Sequence, residues 1–247
     1  MKTVKKSSAV TAVKKKTRKS RKGAKTGQAP ALSASLWKEW IKFVGAHCGA
    51  RIAVILALTG NFGLRCGEAL ALKREDLNVE GDIPRLRVSG EVKGNKKSPG
   101  DVYVRKRHMQ WLQNLIKKGY TVTRMRKHKH GQGPNKMIEY QDSYTMPDKG
   151  FLFTSRTNAK HEALHYHAVY AHVRKQAPKF LEFLKESGKQ WTSEVARLRP
   201  HSGRATLITE LMGEGLTTSL SMKYACRIFD WKCFICSPKS YVLPAFK

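Results

Sequence analysis

The first thirty residues contain no acid at all, although they hold eleven Lys or Arg. Such a stretch cannot bury enough apolar surface to fold and reads as a solvated, disordered arm. It also lacks an apolar core segment, so no secretory signal is expected there. Nowhere does the chain approach the ~18 consecutive apolar residues of a membrane-spanning helix, so no membrane partner is expected. Cysteine is sparse and odd in number: Cys48, Cys66, Cys226, Cys233 and Cys236. No framework spacing links them, which argues against a disulfide scaffold and for a reduced intracellular compartment. Cys233-x-x-Cys236, with Cys226 nearby, lacks a second spaced pair, and no metal site is expected. Internal repeats are absent, which removes the solenoid architectures.

What remains is a basic chain with enough apolar residues for a core. Lys and Arg number 48 against 18 Asp and Glu, for a formal charge of +30, and 40% of the 247 residues are hydrophobic. Beyond residue 30 the balance is still 37 basic to 18 acidic. A polyanionic partner fits, because each phosphate neutralised releases counterions. The run Lys14-Lys15-Lys16-Thr17-Arg18-Lys19-Ser20-Arg21-Lys22 could serve nuclear localisation or non-specific DNA contact.

Apolar spacing predicts a helix from Ser33 or Ser35 with Leu36, Trp37, Trp40, Ile41 and Val44 inward. A largely buried helix follows over 50–60, then a short one starting near Arg65. Leu86–Gly90 and Asp101–Val104 alternate apolar with polar around a turn-rich basic stretch, which predicts a small antiparallel sheet with a basic hairpin tip. Further helices are expected over 105–118, 162–176, 178–187 and 202–214. Residues 119–149 are polar and basic and read as a surface loop, with Arg124, Arg126 and Lys127 as the sharper alternative of direct DNA contacts. The fold class is mainly α with a small antiparallel β-sheet, α+β. The organisation is a basic tail over 1–32, one domain over 33–223 and an atypical C-terminal segment over 224–247.

Two distant segments carry the chemistry. Gly63-Leu64-Arg65-Cys66-Gly67-Glu68 and Leu198-Arg199-Pro200-His201-Ser202-Gly203-Arg204 each set an arginine in an apolar context. A guanidinium stays charged and donates two parallel hydrogen bonds, which suits a phosphate. Glu68 lies one turn from Arg65, where it can hold that guanidinium. His201 and Arg204 share a helix face, and a histidine at a helix N-terminus has its charged form disfavoured.

Taken in order, these segments resemble the catalytic domain of the tyrosine recombinases, the phage-integrase family. Residues 61–77 resemble its first box, Val92–Lys96 its β-hairpin with a catalytic lysine, Phe151–Arg156 its short mid-domain apolar segment, and residues 198–215 its second box. The likeness covers about residues 50–220. It implies the DNA breaking-rejoining enzyme fold and a tyrosine hydroxyl that attacks a DNA phosphate, leaving a 3′-phosphotyrosyl intermediate. It implies no metal, ATP or other cofactor, because the covalent intermediate retains the bond energy. By the same resemblance Arg65 and Arg204 would bind the non-bridging oxygens. Lys93 would protonate the leaving 5′-oxygen, with Lys96 and Lys97 as alternatives in the hairpin, and His201 would assist proton transfer. Partners implied are double-stranded DNA and other copies assembled on it.

The C-terminal stretch departs from the family. Trp231 and Tyr241 have roughly the order and spacing of its third-box residue and its nucleophile, but Pro238 argues against a continuous helix leading to Tyr241. Gly203 stands where the family usually has an apolar residue and is expected to loosen the helix start by ~1 kcal/mol relative to alanine. Only about thirty structured residues are expected before the first box, so a separate helical DNA-clamping domain is expected to be absent or reduced. Three readings follow: a recombinase of a mobile element acting in a nucleus, a non-catalytic DNA-binding relic of one, or an unrelated nucleic-acid-binding protein.

Overall fold

Ser33 opens the first helix by accepting a hydrogen bond from the Leu36 N–H on its hydroxyl oxygen, at 3.2 Å. The computed structural model describes residues 29–78, 85–88, 100–103, 106–127, 137–155 and 162–215. Helix α1 (Ala34–Cys48) buries Trp37, Trp40, Ile41 and Val44, the face that its apolar spacing predicts. Gly49, at φ 104°, turns the chain into α2 (Ala50–Phe62). Nearly every residue of α2 is buried, so it is the central shaft of the domain, packed against α1, the short helix α3 (Cys66–Ala71) and a later helix over Ser202–Gly213. It stops at Gly63, which takes the left-handed conformation, φ 64°, that favours glycine.

Strands β1 (Leu77–Asn78), β2 (Arg85–Val88) and β3 (Gly100–Tyr103) form an antiparallel sheet in that order, with Leu86 opposite Val102. The expected sheet is therefore present. The tip between β2 and β3, with Lys93, Lys96 and Lys97, lies outside the described residues. Helix α4 (Lys106–Lys118) follows, as predicted.

The loop expected over 119–149 is a β-hairpin instead. Strands β4 (Tyr120–Lys127) and β5 (Met137–Tyr144) pair antiparallel over their full length, from Tyr120 opposite Tyr144 to Lys127 opposite Met137. Tyr120, Val122, Ile138, Tyr140 and Tyr144 alternate with exposed Thr121, Thr123, Gln141 and Ser143, so the inner face packs on α1 and α2. Arg124 and Asp142 occupy inward positions, and these charges broke the apolar alternation as read from sequence.

Two expected helices merge into one. Helix α5 (Tyr166–Glu186) runs through Pro178, because Val169, Val173, Ala177, Phe180 and Leu184 form one buried stripe across it. That packing outweighs the backbone hydrogen bond a proline removes. Helix α6 (Ser202–Gly213) ends where the glycines predict. At the other end of the chain, Ala31 and Leu32, expected in the tail, are buried. The Leu32 N–H donates to Thr206 Oγ1 in α6 at 3.0 Å.

Gly203 lies inside α6, and its missing side chain lets α6 approach α2. A β-carbon there would lie 2.5 Å from Thr59 Oγ1, 2.6 Å from Trp37 Cζ2 and 2.8 Å from the Gly60 backbone nitrogen. The glycine-on-glycine contact of Gly203 with Gly60 fixes how close the second box comes to the shaft that leads into the first.

Candidate active site

The end of α2 presents Gly63 and then Arg65 at the start of α3. Glu68, one turn into α3, reaches back: its carboxylate accepts from the Arg65 backbone N–H at 2.8 Å and from Arg65 Nη1 at 2.9 Å. Glu68 is 2% exposed and Arg65 28%, so the carboxylate is buried while the guanidinium reaches the surface. The sequence expectation that Glu68 holds Arg65 agrees with this pairing.

Arg204 arrives from α6. It is 6% exposed, and its Nη1 donates to the Gly63 carbonyl at 2.7 Å. That carbonyl belongs to a helix end and would otherwise be an orphan acceptor. The bond ties the second segment to the first across 141 residues of sequence.

His201 lies one helical turn before Arg204, immediately before α6. Burial pushes its pKa below the ordinary 6.5, and the charges of Arg204 and Arg65 add to that, with Glu68 opposing them and Arg199 reinforcing them. Helix position was the reason for a neutral imidazole in sequence; burial is the larger cause here. The His201 ring lies against Tyr166 of α5, centroids 6.1 Å apart and planes 27° apart. Arg65, Glu68, His201 and Arg204 thus surround one half-buried patch that carries excess positive charge. Beside it, the Cys66 thiol is fully buried and pushed up to about 12, so it is no nucleophile.

A pH dependence follows. The unfolded chain protonates its histidine first, so the contribution of His201 is complete above about pH 6.5 and is lost as pH falls through its lower folded value. His172 moves the same way, first by burial. Urea unfolding from pH 8 to 5 should therefore show falling stability below 6.5, with a shallower fall in His201→Asn.

The match that decides the family spans residues 37–225, which fit the phage integrase family. The chain belongs to that family. The match extends the resemblance read from sequence by α1 at one end and as far as Ala225 at the other. Among solved structures, the Tn1549 transposon integrase in complex with transposon right end DNA is similar at 16% identity and a TM-score of 0.54, over 91% of this chain and 64% of that one. The same integrase with a circular intermediate DNA gives 14% identity and a TM-score of 0.52, again over 91% and 64%. At these identities the likeness is one of fold, the mostly helical recombinase catalytic domain, and this chain spans under two thirds of that relative's length. No curated protein matches the chain.

Other expected site residues fall elsewhere. Lys93, Lys96, Lys97, Trp231 and Tyr241 lie outside the described residues, as do Cys226, Cys233 and Cys236. Arg124 is half-buried on β4. Its guanidinium donates to the Ala46 and His47 carbonyls at 3.3 and 3.0 Å and sits 3.6 Å from Asp142, which in turn accepts from the Ala50 N–H at 2.9 Å. The pair closes the end of α1 and the start of α2. Arg126 is exposed, with its guanidinium 5.0 Å from the Tyr140 ring centroid. The side chain of Lys127 lies outside the described residues. Sequence reasoning missed Tyr166 and the Gly63 carbonyl, because both meet the site only through tertiary contact. Among the described residues no group of three or more His, Cys, Asp or Glu could hold a metal, and no helix is long and apolar enough to cross a membrane.

Proposed function

We propose that the protein is a site-specific DNA recombinase that cuts and rejoins strands through a 3′-phosphotyrosyl intermediate. The observation that carries this reading is the convergence of Arg65, His201 and Arg204, with Glu68 behind Arg65, from two distant segments onto one patch. Two guanidiniums held by fixed acceptors are preorganised for the extra charge on a pentavalent phosphate. A histidine kept neutral can take up or pass on a proton during attack and departure. In this reading Tyr241 attacks the phosphorus, the 5′-oxygen leaves with a proton from Lys93, and Trp231 lines the site. The substrate is double-stranded DNA, with copies assembling on it. The basic run over residues 14–22 supports action in a nucleus, as the enzyme of a mobile element. No cofactor enters the reaction.

The test is a nicked suicide duplex incubated with the full chain and resolved on a denaturing gel. A covalent adduct that disappears in Tyr241→Phe is expected. Demonstrated DNA binding without any adduct would sink the catalytic reading. On the same duplex Arg124→Gln should lower stability by about 1–2 kcal/mol, by orphaning two carbonyls. It should leave the slope of log affinity against log salt unchanged. Arg126→Gln should make that slope shallower by about 0.9, one phosphate contact.

A further inference from the structure

We propose that Arg199 and Tyr166 form a second phosphate subsite, which holds the DNA backbone phosphate next to the one gripped by Arg65 and Arg204. The proposal rests on the reading of the clamp given above and adds a ligand contact to it.

Arg199 is fixed at its backbone and unspent at its side chain. Its N–H donates to Ser202 Oγ at 3.0 Å, and the Ser202 N–H donates back to its carbonyl at 2.9 Å. Pro200, buried between them, leaves that turn little freedom. The base of the side chain is therefore set relative to His201 and α6. The guanidinium is half-buried, yet among the described residues it makes no ion pair and donates no hydrogen bond. Arg65 and Arg204 differ, one held by Glu68 and the other by the Gly63 carbonyl. A partly desolvated guanidinium remains charged and calls for an anion.

The position of Arg199 says which anion. Its charge acts on both His201 and Tyr166, favouring the neutral imidazole and the ionised phenol. Arg65 and Arg204 act on His201, whereas the groups that act on Tyr166 are Cys66, Tyr170 and Arg199. Arg199 stands two residues before His201, on the turn pinned to Ser202, and the His201 ring faces Tyr166 at 6.1 Å, so the arginine belongs to the part of the patch that Tyr166 borders. Tyr166 is held there by rings on two sides, His201 and Tyr170, each with its centroid 6.1 Å away. Burial keeps its phenol protonated, and a phenolic O–H donates well to a phosphate oxygen. An always-charged fork and a phenol whose ring packs against His201, beside a phosphate clamp, suit the next phosphodiester of the same strand.

The test needs no knowledge of the target sequence. The probes are thymidine 3′-monophosphate and thymidine 3′,5′-bisphosphate, whose two phosphates flank one sugar as neighbours in a strand do. Binding to the full chain is followed by calorimetry and by the His201 imidazole resonances. The wild type should bind the bisphosphate roughly tenfold more tightly, the size of one charge-assisted contact. Arg199→Gln should erase that preference while leaving monophosphate affinity within about twofold. Tyr166→Phe should reduce the preference, and Arg199→Lys, which keeps the charge and guards against a folding defect, should retain most of it. On a 20-base-pair duplex of random sequence, Arg199→Gln should make the salt slope shallower by about 0.9. Equal wild-type affinity for the two probes, or equal losses on both in Arg199→Gln, would overturn the subsite. Failure of the clamp reading would look different: Arg65→Gln would then leave monophosphate affinity untouched.

Discussion

Arg65→Ala should reduce single-turnover strand cleavage by about 10³-fold or more, and Arg204→Ala should do the same. The size follows from the charge that a phosphoryl transition state spreads over its oxygens. Single preorganised donors or arginines at such sites are worth roughly 10²–10⁵ in rate. The two variants should part company in stability. Arg204 is buried and its Nη1 holds the Gly63 carbonyl, so its loss orphans a helix-end acceptor and costs about 1–3 kcal/mol. Arg65→Ala removes the ion pair to the buried Glu68 carboxylate, although the Arg65 backbone N–H still donates to it. Arg65→Ala with Glu68→Gln should therefore recover the stability lost in Arg65→Ala alone, while cleavage stays abolished. Recovery of cleavage together with stability would mean that Arg65 acts only as a scaffold. Denaturant unfolding and adduct formation, measured on the same four proteins, separate the two contributions.

Gly203→Ala should destabilise the domain by about 2–3 kcal/mol, against the usual helical gain of about 1 kcal/mol for replacing glycine by alanine. The added methyl meets Thr59, the Trp37 ring and the Gly60 backbone at 2.5–2.8 Å, and two of these neighbours cannot yield. Gly60 is backbone. Trp37 is itself wedged against Gly60, since its indole nitrogen occupies the space where a β-carbon on Gly60 would lie. Relief requires α6 to move away from α2, which carries His201 and Arg204 away from Gly63. Loss of adduct formation is thus expected alongside a melting temperature lower by roughly 5–10 °C. Gly213→Ala in the same helix is the control: a β-carbon there meets nothing within 4 Å, and stability should hold or rise slightly. A neutral Gly203→Ala would mean that the two helices can separate at no cost.

The two boxes were legible in the sequence because each is local. Arg65 and Glu68 sit three residues apart, as do His201 and Arg204, and helical spacing alone puts each pair on one face. That the pairs meet came from resemblance; the physical reason is the Gly203–Gly60 contact and the Arg204 bond to Gly63, neither of which periodicity encodes. The same reason explains what the sequence left out at Gly203, whose local cost in a helix is offset by a close approach visible only in three dimensions. Residues 119–149 misled because two inward charges, Arg124 and Asp142, are satisfied by helix ends far away in sequence. Two helices are expected over 162–176 and 178–187 where one forms, because a single buried stripe runs across Pro178.

The bond from the Leu32 N–H to Thr206 reaches the helix that carries Arg204, two residues earlier on α6. Its consequence is practical. Removing the lysine-rich arm is the natural way to obtain a better-behaved sample, and the run of charge makes residue 33 the tempting place to cut. Cutting there would strip Ala31 and Leu32 from the core and leave Thr206 without its acceptor role at the head of the second box. A shortened protein that begins at residue 29 keeps this seal, and one that begins at Ser33 should show weakened phosphate binding despite retaining Arg65, His201 and Arg204.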